Sequence, residues 1–265
     1  MRAVRELSVL SASSKAIVVL VVVVLIASAA LYYSHLRTPT ESSVKGDTIL
    51  VPLYSGDPSQ FQEILNLQSE YKSVHFSIIV NPNNGSGNAS NSTYSEWINR
   101  SESAGITVLG YVFTSYGNRS LGTILEEVSN YSKWYGVHGI FFDEVSDNSS
   151  AESFYSNVVV QCQALGVDLT VGNPGDFVPY GFLPIFNVTV IYENPGYPSL
   201  SSLEEYSQNV SKTRLAVIAY GVPFSSSEIS SIGTVAGVEY FSDQDLPDPY
   251  QNLSSYLPEI ASMFN

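Results

Sequence analysis

Short apolar runs alternate with amphipathic helical runs along most of this chain, and this alternation constrains the fold more than any other feature. Each apolar run is typical of a strand buried on both faces, as in a parallel sheet. The strand-like runs occupy residues 48–53, 74–80, 107–112, 139–143, 168–172, 188–192, 215–219 and 238–241. The helix-like runs occupy residues 58–71, 94–104, 124–135, 151–165, 203–210, 226–232 and 257–264. Eight strands alternating with helices predict a closed (β/α)8 TIM-type barrel.

The segment between the fifth and sixth strand-like runs departs from this pattern. Residues 173–184 hold three prolines and little helical periodicity, so we expect an irregular connection there. A doubly wound open sheet is the alternative architecture for the same alternation. Such a sheet usually carries a glycine-rich phosphate-binding turn after its first strand, and residues 54–58 (Tyr-Ser-Gly-Asp-Pro) match that turn poorly. The barrel is therefore the predicted fold.

The start of the chain is predicted to lie outside the barrel. Residues 16–33 are uninterrupted apolar or small side chains, long enough to cross a bilayer, and the basic residues of segment 1–15 place that end in the cytoplasm. Residues 34–46 then form a polar stalk, and residues 47–265 form an extracellular barrel held at the cell membrane by one transmembrane helix. Residues 27–29 (Ala-Ser-Ala) also resemble a signal-peptide cleavage site, and secretion after cleavage is the alternative.

N-glycosylation sequons agree with export in either case. They are more frequent than the serine and threonine content alone predicts, and a Ser/Asn-rich composition is the alternative explanation. The acceptor asparagines are Asn84, Asn88, Asn91, Asn99, Asn118, Asn130, Asn148, Asn187, Asn209 and Asn252. The sequence isoelectric point of about 4.4 suits an acidic exterior, in which carboxylates are partly protonated. We therefore expect a surface glycoprotein.

Charge and residue counts exclude several function classes. The net charge is −14, from 25 acidic and 11 basic residues, so the chain lacks the basic footprint that nucleic acid binding needs. The single cysteine, Cys162, falls in a helical run and is expected to be a buried apolar residue. Three histidines, His35, His75 and His138, are too few and too scattered for a metal triad. No metal and no cofactor is expected.

Acidic residues follow the fourth and sixth strand-like runs where each run ends. Asp143 and Glu144 close one run, and Glu193 lies between the other run and an Asn-Pro-Gly turn. Taken alone, Asp143 is explained equally well by a helix cap or a surface turn. In a barrel, however, the carboxyl ends of all strands meet at one mouth, where the active sites of such barrels lie. The three carboxylates are therefore expected to converge. Paired carboxylates are the catalytic groups that most glycoside hydrolases use.

Asparagine and tyrosine side chains at the same strand ends are the candidates for substrate contact. Aromatic faces with hydroxyl groups suit sugar rings. The candidates are Tyr54, Asn81, Tyr111, Asn173 and Tyr192. Turn formation explains the Asn-Pro pairs, and packing explains each tyrosine, when each is considered singly.

Several of these runs, taken in order, resemble the spherulation-specific family 4 (spherulin-4-like) proteins. The resemblance rests on Val51-Pro52-Leu53-Tyr54, Val80-Asn81-Pro82-Asn83-Asn84-Gly85, Val108-Leu109-Gly110-Tyr111-Val112, Trp134-Tyr135-Gly136-Val137 to Phe142-Asp143-Glu144, Gly172-Asn173-Pro174-Gly175, and Glu193. It implies a (β/α)8 fold and kinship with fungal glycoside hydrolases that cut α-1,4-linked galactosamine or N-acetylgalactosamine polymers. The acidic pair of that family matches Asp143 and Glu144, and its further catalytic glutamate matches Glu193.

The resulting hypothesis is a membrane-anchored, extracellular, endo-acting glycoside hydrolase whose partner is an amino-sugar-containing polysaccharide. Asp143 is expected to act as nucleophile or base and Glu193 as acid, with Glu144 binding substrate or tuning a pKa. The roles can be exchanged, because a sequence gives no distances. The alternative is a non-catalytic surface glycan-binding or envelope protein on the same barrel. A polysaccharide deacetylase is disfavoured by the missing histidine ligands.

Overall fold

The strand-like runs of the sequence form the strands of a closed barrel. The computed structural model describes residues 47–175, 178–208 and 210–265. The strands are β1 (Thr48–Leu53), β2 (His75–Val80), β3 (Thr107–Phe113), β4 (Gly139–Asp143), β5 (Leu169–Gly172), β6 (Val188–Pro195), β7 (Leu215–Tyr220) and β8 (Val238–Phe241). Each strand pairs in parallel with the next, and β1 pairs with β8 to close the ring. The predicted TIM-type barrel is confirmed.

Helices follow most strands, as the alternation predicted. They are α1 (Pro58–Glu70), α2 (Ser92–Ser103), α3 (Leu121–Tyr135), α4 (Glu152–Ala164), α5 (Leu200–Ser207), α6 (Ser226–Ile232) and α7 (Leu257–Phe264). Helix α3 begins three residues earlier than its apolar periodicity predicted, because the Ser120 side chain caps it by accepting from the Thr123 N–H at 3.2 Å. Between β5 and β6 the described residues contain a 3-10 turn, Tyr180–Phe182, and no α-helix, as the prolines indicated.

Close packing between α3 and β3 fixes the strand that carries Tyr111. A Cβ atom at Gly110 would lie 2.6 Å from the ring of Tyr131, so only glycine allows this approach. The Tyr131 hydroxyl lies 3.1 Å and 2.9 Å from the carbonyl oxygens of Val80 and Tyr111. These bonds join α3 to the carboxyl halves of β2 and β3. On α4, Cys162 is fully buried, as its helical position predicted.

Strand β6 is longer than predicted and contains a bulge that determines where Glu193 points. Val190 pairs with Ala216 of β7, but Tyr192 pairs with the next β7 residue, so one residue of β6 is extra. Beyond the bulge, Glu193 pairs with Ile218 and therefore shares a face of the sheet with Val190, although three positions separate them. A regular strand with a period of two would have placed Tyr192 on that face instead.

The membrane segments predicted from the sequence lie outside the described residues. These are the cytoplasmic segment 1–15, the transmembrane helix 16–33 and the stalk 34–46. In the part of the chain that the structure describes, no helix combines the length and the hydrophobicity that crossing a bilayer requires. The membrane anchor therefore stays a prediction.

Candidate active site

Backbone hydrogen bonds beyond the strand ends hold the mouth of the barrel together between β3, β4 and β5. The N–H of Thr114 donates to the carbonyl oxygen of Asp143 at 2.9 Å, and the N–H of Asn173 donates to that of Phe142 at 2.8 Å. The N–H of Val145 in turn donates to the carbonyl oxygen of Asn173 at 2.9 Å. Asp143 and Asn173 are thus carried on an extension of the sheet rather than on free loops.

One amide group joins the two carboxylates that sequence analysis singled out on β4 and β6. The Nδ2 of Asn173 donates to Asp143 Oδ1 at 2.8 Å and also to Glu193 Oε2. The Oδ1 of Asn173 accepts from the Gly175 N–H at 3.0 Å, which fixes the end of the amide that faces the carboxylates. One amide nitrogen reaches both side chains, so the two carboxyl groups are neighbours at the mouth of the barrel. Asn173 is only 2% exposed.

Two tyrosine hydroxyls bind the remaining carboxylate oxygens. Tyr111 donates to Asp143 Oδ2 at 2.8 Å, and Tyr250 donates to Glu193 Oε1. Every oxygen of this carboxylate pair therefore accepts at least one hydrogen bond from a side chain. Tyr250 was missed by the sequence analysis. It lies in an irregular segment after β8, where no apolar periodicity marks a strand end, and the sequence carries no signal that connects it to Glu193.

Aromatic rings form a wall beside the carboxylate pair. The ring of Tyr54 packs edge-on against Tyr111, with centroids 5.4 Å apart, and against Tyr250 at 5.6 Å. Tyr250 also packs edge-on against Tyr220 at 6.1 Å. Burial and then the negative charges of Asp143 and Glu193 raise the pKa of Tyr54, which therefore stays a neutral hydroxyl beside the pair. Such rings offer apolar faces and hydroxyl groups to a sugar.

Burial makes both carboxyl groups harder to ionise, and their hydrogen bonds partly compensate. Burial raises the pKa of Asp143, whereas donors from Tyr111 and Asn173 oppose the rise. Burial and then the negative charge of Asp143 raise the pKa of Glu193 to about 6, against the hydrogen bonds from Tyr250 and Asn173. Two carboxyl groups this close titrate as a pair. Glu193 is thus able to hold a proton in mildly acidic solution and release it, as a general acid must.

Glu144 lies next to the pair on a strained turn. Its backbone has φ +50°, a left-handed conformation that is unfavourable for a residue with a side chain. Its carbonyl oxygen accepts from the Tyr116 N–H and from the Thr114 hydroxyl, both at 2.7 Å, and these bonds maintain the turn. Burial and then the charge of Glu144 raise the pKa of Tyr116, whose ring is 60% exposed at the rim. The charge of Glu144 therefore acts on an exposed aromatic residue at the rim.

Two of the predicted substrate contacts, Asn81 and Tyr192, lie outside this hydrogen-bond network. The Asn81 side chain accepts from the Gly85 N–H at 2.8 Å, and this contact shapes the loop after β2. The Tyr192 hydroxyl donates to the carbonyl oxygen of Gly196 at 2.9 Å, within the turn after β6. Their role as substrate contacts stays a prediction. Of the five candidates, Tyr54, Tyr111 and Asn173 adjoin the carboxylate pair.

Positive charge is scarce around the pair. Within residues 47–175, 178–208 and 210–265, neither Asp143, Glu144 nor Glu193 forms an ion pair with a lysine or arginine. The guanidinium of Arg119, in the loop after β3, binds Glu127 at 2.6 Å. Across the same described ranges, no three His, Cys, Asp or Glu side chains are arranged to hold a metal ion.

Comparisons with known proteins agree on one family and one fold. The family model described as "Spherulation-specific family 4" matches residues 48–264, which include every segment on which the sequence resemblance rests. Among curated proteins, Spherulin-4 of Physarum polycephalum is 33% identical over 171 residues, which is 63% of this chain. The match spans 50% of that longer relative.

Solved structures with the same barrel have low sequence identity to this chain. The crystal structure of Aspergillus clavatus Sph3 in complex with GalNAc superposes with a TM-score of 0.73 at 22% identity, covering 83% of this chain and 97% of that one. Deoxyribose phosphate aldolase of Aeropyrum pernix superposes with a TM-score of 0.51 at 12% identity, covering 75% and 86%. At these identities the similarity establishes the fold alone.

Proposed function

This chain belongs to spherulation-specific family 4, as its sequence predicted, and we propose that it is a glycoside hydrolase acting on an amino-sugar-containing polysaccharide. The observation that carries the proposal is the pair of half-buried carboxyl groups, Asp143 and Glu193, joined by one amide at the carboxyl end of the barrel. Hydrolysis of a glycosidic bond needs two such groups, one protonated and one ionised. The GalNAc bound to the structurally similar Sph3 supports an amino sugar as ligand.

In the proposed mechanism Asp143 is the nucleophile and Glu193 is the acid. Donors from Tyr111 and Asn173 stabilise the ionised form of Asp143, which attacks the anomeric carbon while the glycosidic C–O bond breaks. Glu193, with a pKa raised to about 6, gives its proton to the leaving oxygen. Glu193 then accepts a proton from a water molecule, whose oxygen bonds to the anomeric carbon as the bond between that carbon and Asp143 breaks. Carboxyl groups close enough to share one amide donor favour retention of the anomeric configuration.

The charge of the mouth supports a neutral or cationic sugar rather than an acidic one. Asp143, Glu144 and Glu193 lie together without a basic partner in the described residues, so a uronate or sulfate group would meet like charge. In this proposal Glu144, which is partly exposed, binds a hydroxyl, acetamido or ammonium group of the sugar. Tyr54 and Tyr111 supply aromatic faces next to it. We propose endo-acting cleavage of a polymer as the finer activity.

The full-length chain incubated with a panel of amino-sugar, neutral and acidic polysaccharides tests this function. We expect oligosaccharides from an amino-sugar polymer, with products that first appear in the anomeric form of the substrate when followed by proton NMR. Asp143→Asn should abolish release, whereas Asp47→Asn, at the opposite end of the barrel, should not. Retention on one glycan without any products would instead identify a non-catalytic surface glycan-binding protein.

Cell-surface location remains part of the proposal, and the sequons offer a separate test of it. Asn84, Asn88, Asn148 and Asn252 are exposed, so an oligosaccharide can be attached to them on the folded chain. Asn187 is buried, and its Oδ1 accepts from the Thr170 N–H at 2.8 Å. Glycopeptide mapping of the protein from its native membrane should find sugar on exposed sequons and none on Asn187. A bare chain recovered from the cytoplasm would contradict both the location and the modification.

A further inference from the structure

The hydrogen bonds around Glu193 restrict where this carboxyl group can carry a proton. Asn173 presents Nδ2 to Glu193 Oε2, and an amide nitrogen can only donate. The Asn173 amide cannot be reversed without breaking its bond from the Gly175 N–H at 3.0 Å. Oε2 is therefore held as an acceptor in both protonation states. The proton of neutral Glu193 belongs on the other oxygen, Oε1.

Oε1 faces the hydroxyl group of Tyr250. A phenol hydroxyl can either donate or accept a hydrogen bond. It donates to Oε1 when Glu193 is ionised and accepts from the Oε1 proton when Glu193 is neutral, so one contact serves both states. No other side chain in the described part of the chain forms a hydrogen bond with Oε1.

The ring of Tyr250 is fixed independently of that hydroxyl. It packs edge-on against Tyr54 at 5.6 Å and against Tyr220 at 6.1 Å. The loop that carries it is closed at its base, since the Ser254 N–H donates to the Tyr240 hydroxyl at 3.2 Å and the Ser255 N–H donates to Asp243 at 2.9 Å. A ring held this way has a defined hydroxyl position, which is what orienting a single proton requires.

We infer that Tyr250 is a positioning residue that keeps the acid proton of Glu193 on Oε1 and stabilises the carboxylate left after its transfer. The inference rests on the proposed role of Glu193 as the acid. In the step, the O–H bond at Oε1 breaks, a new O–H bond forms on the leaving glycosidic oxygen, and that oxygen keeps the electron pair of the broken C–O bond. The Tyr250 hydroxyl then donates to the newly ionised Oε1, alongside the Asn173 amide at Oε2.

Tyr250→Phe in the full-length chain tests this inference, because it removes the hydroxyl and keeps the ring. We expect kcat to fall about 10- to 100-fold with KM within about twofold, since the hydroxyl acts on the proton rather than on substrate binding. The alkaline limb of kcat/KM should move up by about one pH unit, because the ionised form of Glu193 loses a donor. Tyr180→Phe is the matched control, since Tyr180 makes a Tyr–Glu contact with Glu205 at 3.4 Å on the outer surface.

Two further measurements distinguish control of the Glu193 proton from a purely structural role of Tyr250. They also distinguish failure of this inference from failure of the proposed function. Carbon-13 NMR titration of labelled glutamate carboxyl groups, with Glu193 assigned from Glu193→Gln, should show a higher Glu193 pKa in Tyr250→Phe and needs no substrate. An unchanged Glu193 titration would overturn the inference even if the variant were less active. Adding Tyr250→Phe to Glu193→Gln should cost no further activity. A wild-type chain that cleaves nothing would refute the proposed hydrolase, while the titration would still decide whether Tyr250 controls the proton on Glu193.

Discussion

Two glutamates in this barrel, one half-buried and one buried, have a pKa raised mainly by loss of solvent but have different surroundings. Burial and then the charge of Asp143 raise the pKa of Glu193 to about 6 at the carboxyl end of the barrel. Burial and then the charge of Asp47 raise the pKa of Glu239 well above its ordinary value, against the opposing charge of Lys212. Glu239 is 2% exposed near the start of β8, and its Oε2 has no hydrogen-bond partner among the described residues.

The difference shows that a raised pKa alone does not identify an active site. Both oxygens of Glu193 accept hydrogen bonds, and a second carboxyl group shares its bridging amide. The side chain of Glu239 packs against the residue after α6, since a Cβ atom at Gly233 would be 3.2 Å from its Oε1. No hydrogen bond in the described part of the chain bridges it to a second carboxyl group. A protonated Glu239 is a cost to stability, because an unpartnered polar atom is buried. Geometry and donors, rather than burial, distinguish the two.

The largest expected effect is the difference in kcat/KM between the same substitution made at Glu193 and at Glu239. Glu193→Gln should lower kcat/KM about 10³-fold or more, because the amide cannot supply a proton to the leaving oxygen. Glu239→Gln should leave kcat/KM unchanged, since Gln resembles the neutral glutamic acid that burial favours there. Steady-state kinetics at a pH of about 5 measures both. Equal losses in the two variants, with the fold intact by circular dichroism, would remove the distinction.

A smaller loss should follow when the amide bridge is removed. Asn173→Ala takes a donor from Asp143 and from Glu193 at once, so we expect kcat to fall about 10²-fold with little change in KM. Asn66→Ala is the control. Asn66 also takes part in a side-chain hydrogen bond, accepting from Gln62 at 2.9 Å, but it lies on the outer surface of α1. A loss confined to KM would instead favour the role predicted from the sequence, a direct contact between Asn173 and the substrate.

The smallest effect concerns stability and should belong to Glu239. Its pKa in the folded chain is raised above the value of about 4.3 for an exposed glutamate. Above that pH the unfolded chain loses the proton while the folded chain keeps it, so the free energy of unfolding falls as pH rises. One such group contributes at most about 1.4 kcal/mol per pH unit.

Glu239→Gln should therefore weaken the pH dependence of stability. Calorimetry should show that its Tm falls less than that of the wild type between pH values of about 4.5 and 7, by about 2–4 °C for each kcal/mol. The raised pKa values of Asp143 and Glu193 act in the same direction but are present in both proteins, so the difference isolates Glu239. Parallel Tm curves would show that Glu239 titrates normally in the folded chain.

The fold was predictable because its pattern is local. Each strand buried on both faces must be an apolar run, and each covering helix must repeat its apolar face every three to four residues, so both leave a direct trace in the sequence. The position of Asp143 at the end of such a run followed from the same pattern, as did the irregular connection after β5. Convergence of strand ends at one mouth follows from barrel closure, so Asp143, Glu144 and Glu193 could be grouped before any coordinate was known.

The sequence by itself thus determined the barrel, the number and order of its strands, the family and the carboxylates at the strand ends. Only the tertiary structure decided which partners those carboxylates have. The bulge in β6 turns Glu193 toward the pair, the fold buries Asn173 between two acids, and a segment after β8 brings Tyr250 to Glu193 across 57 residues of chain. Hydrogen bonds between residues so far apart depend on relative positions and directions, which a pattern of residue types along the chain does not encode.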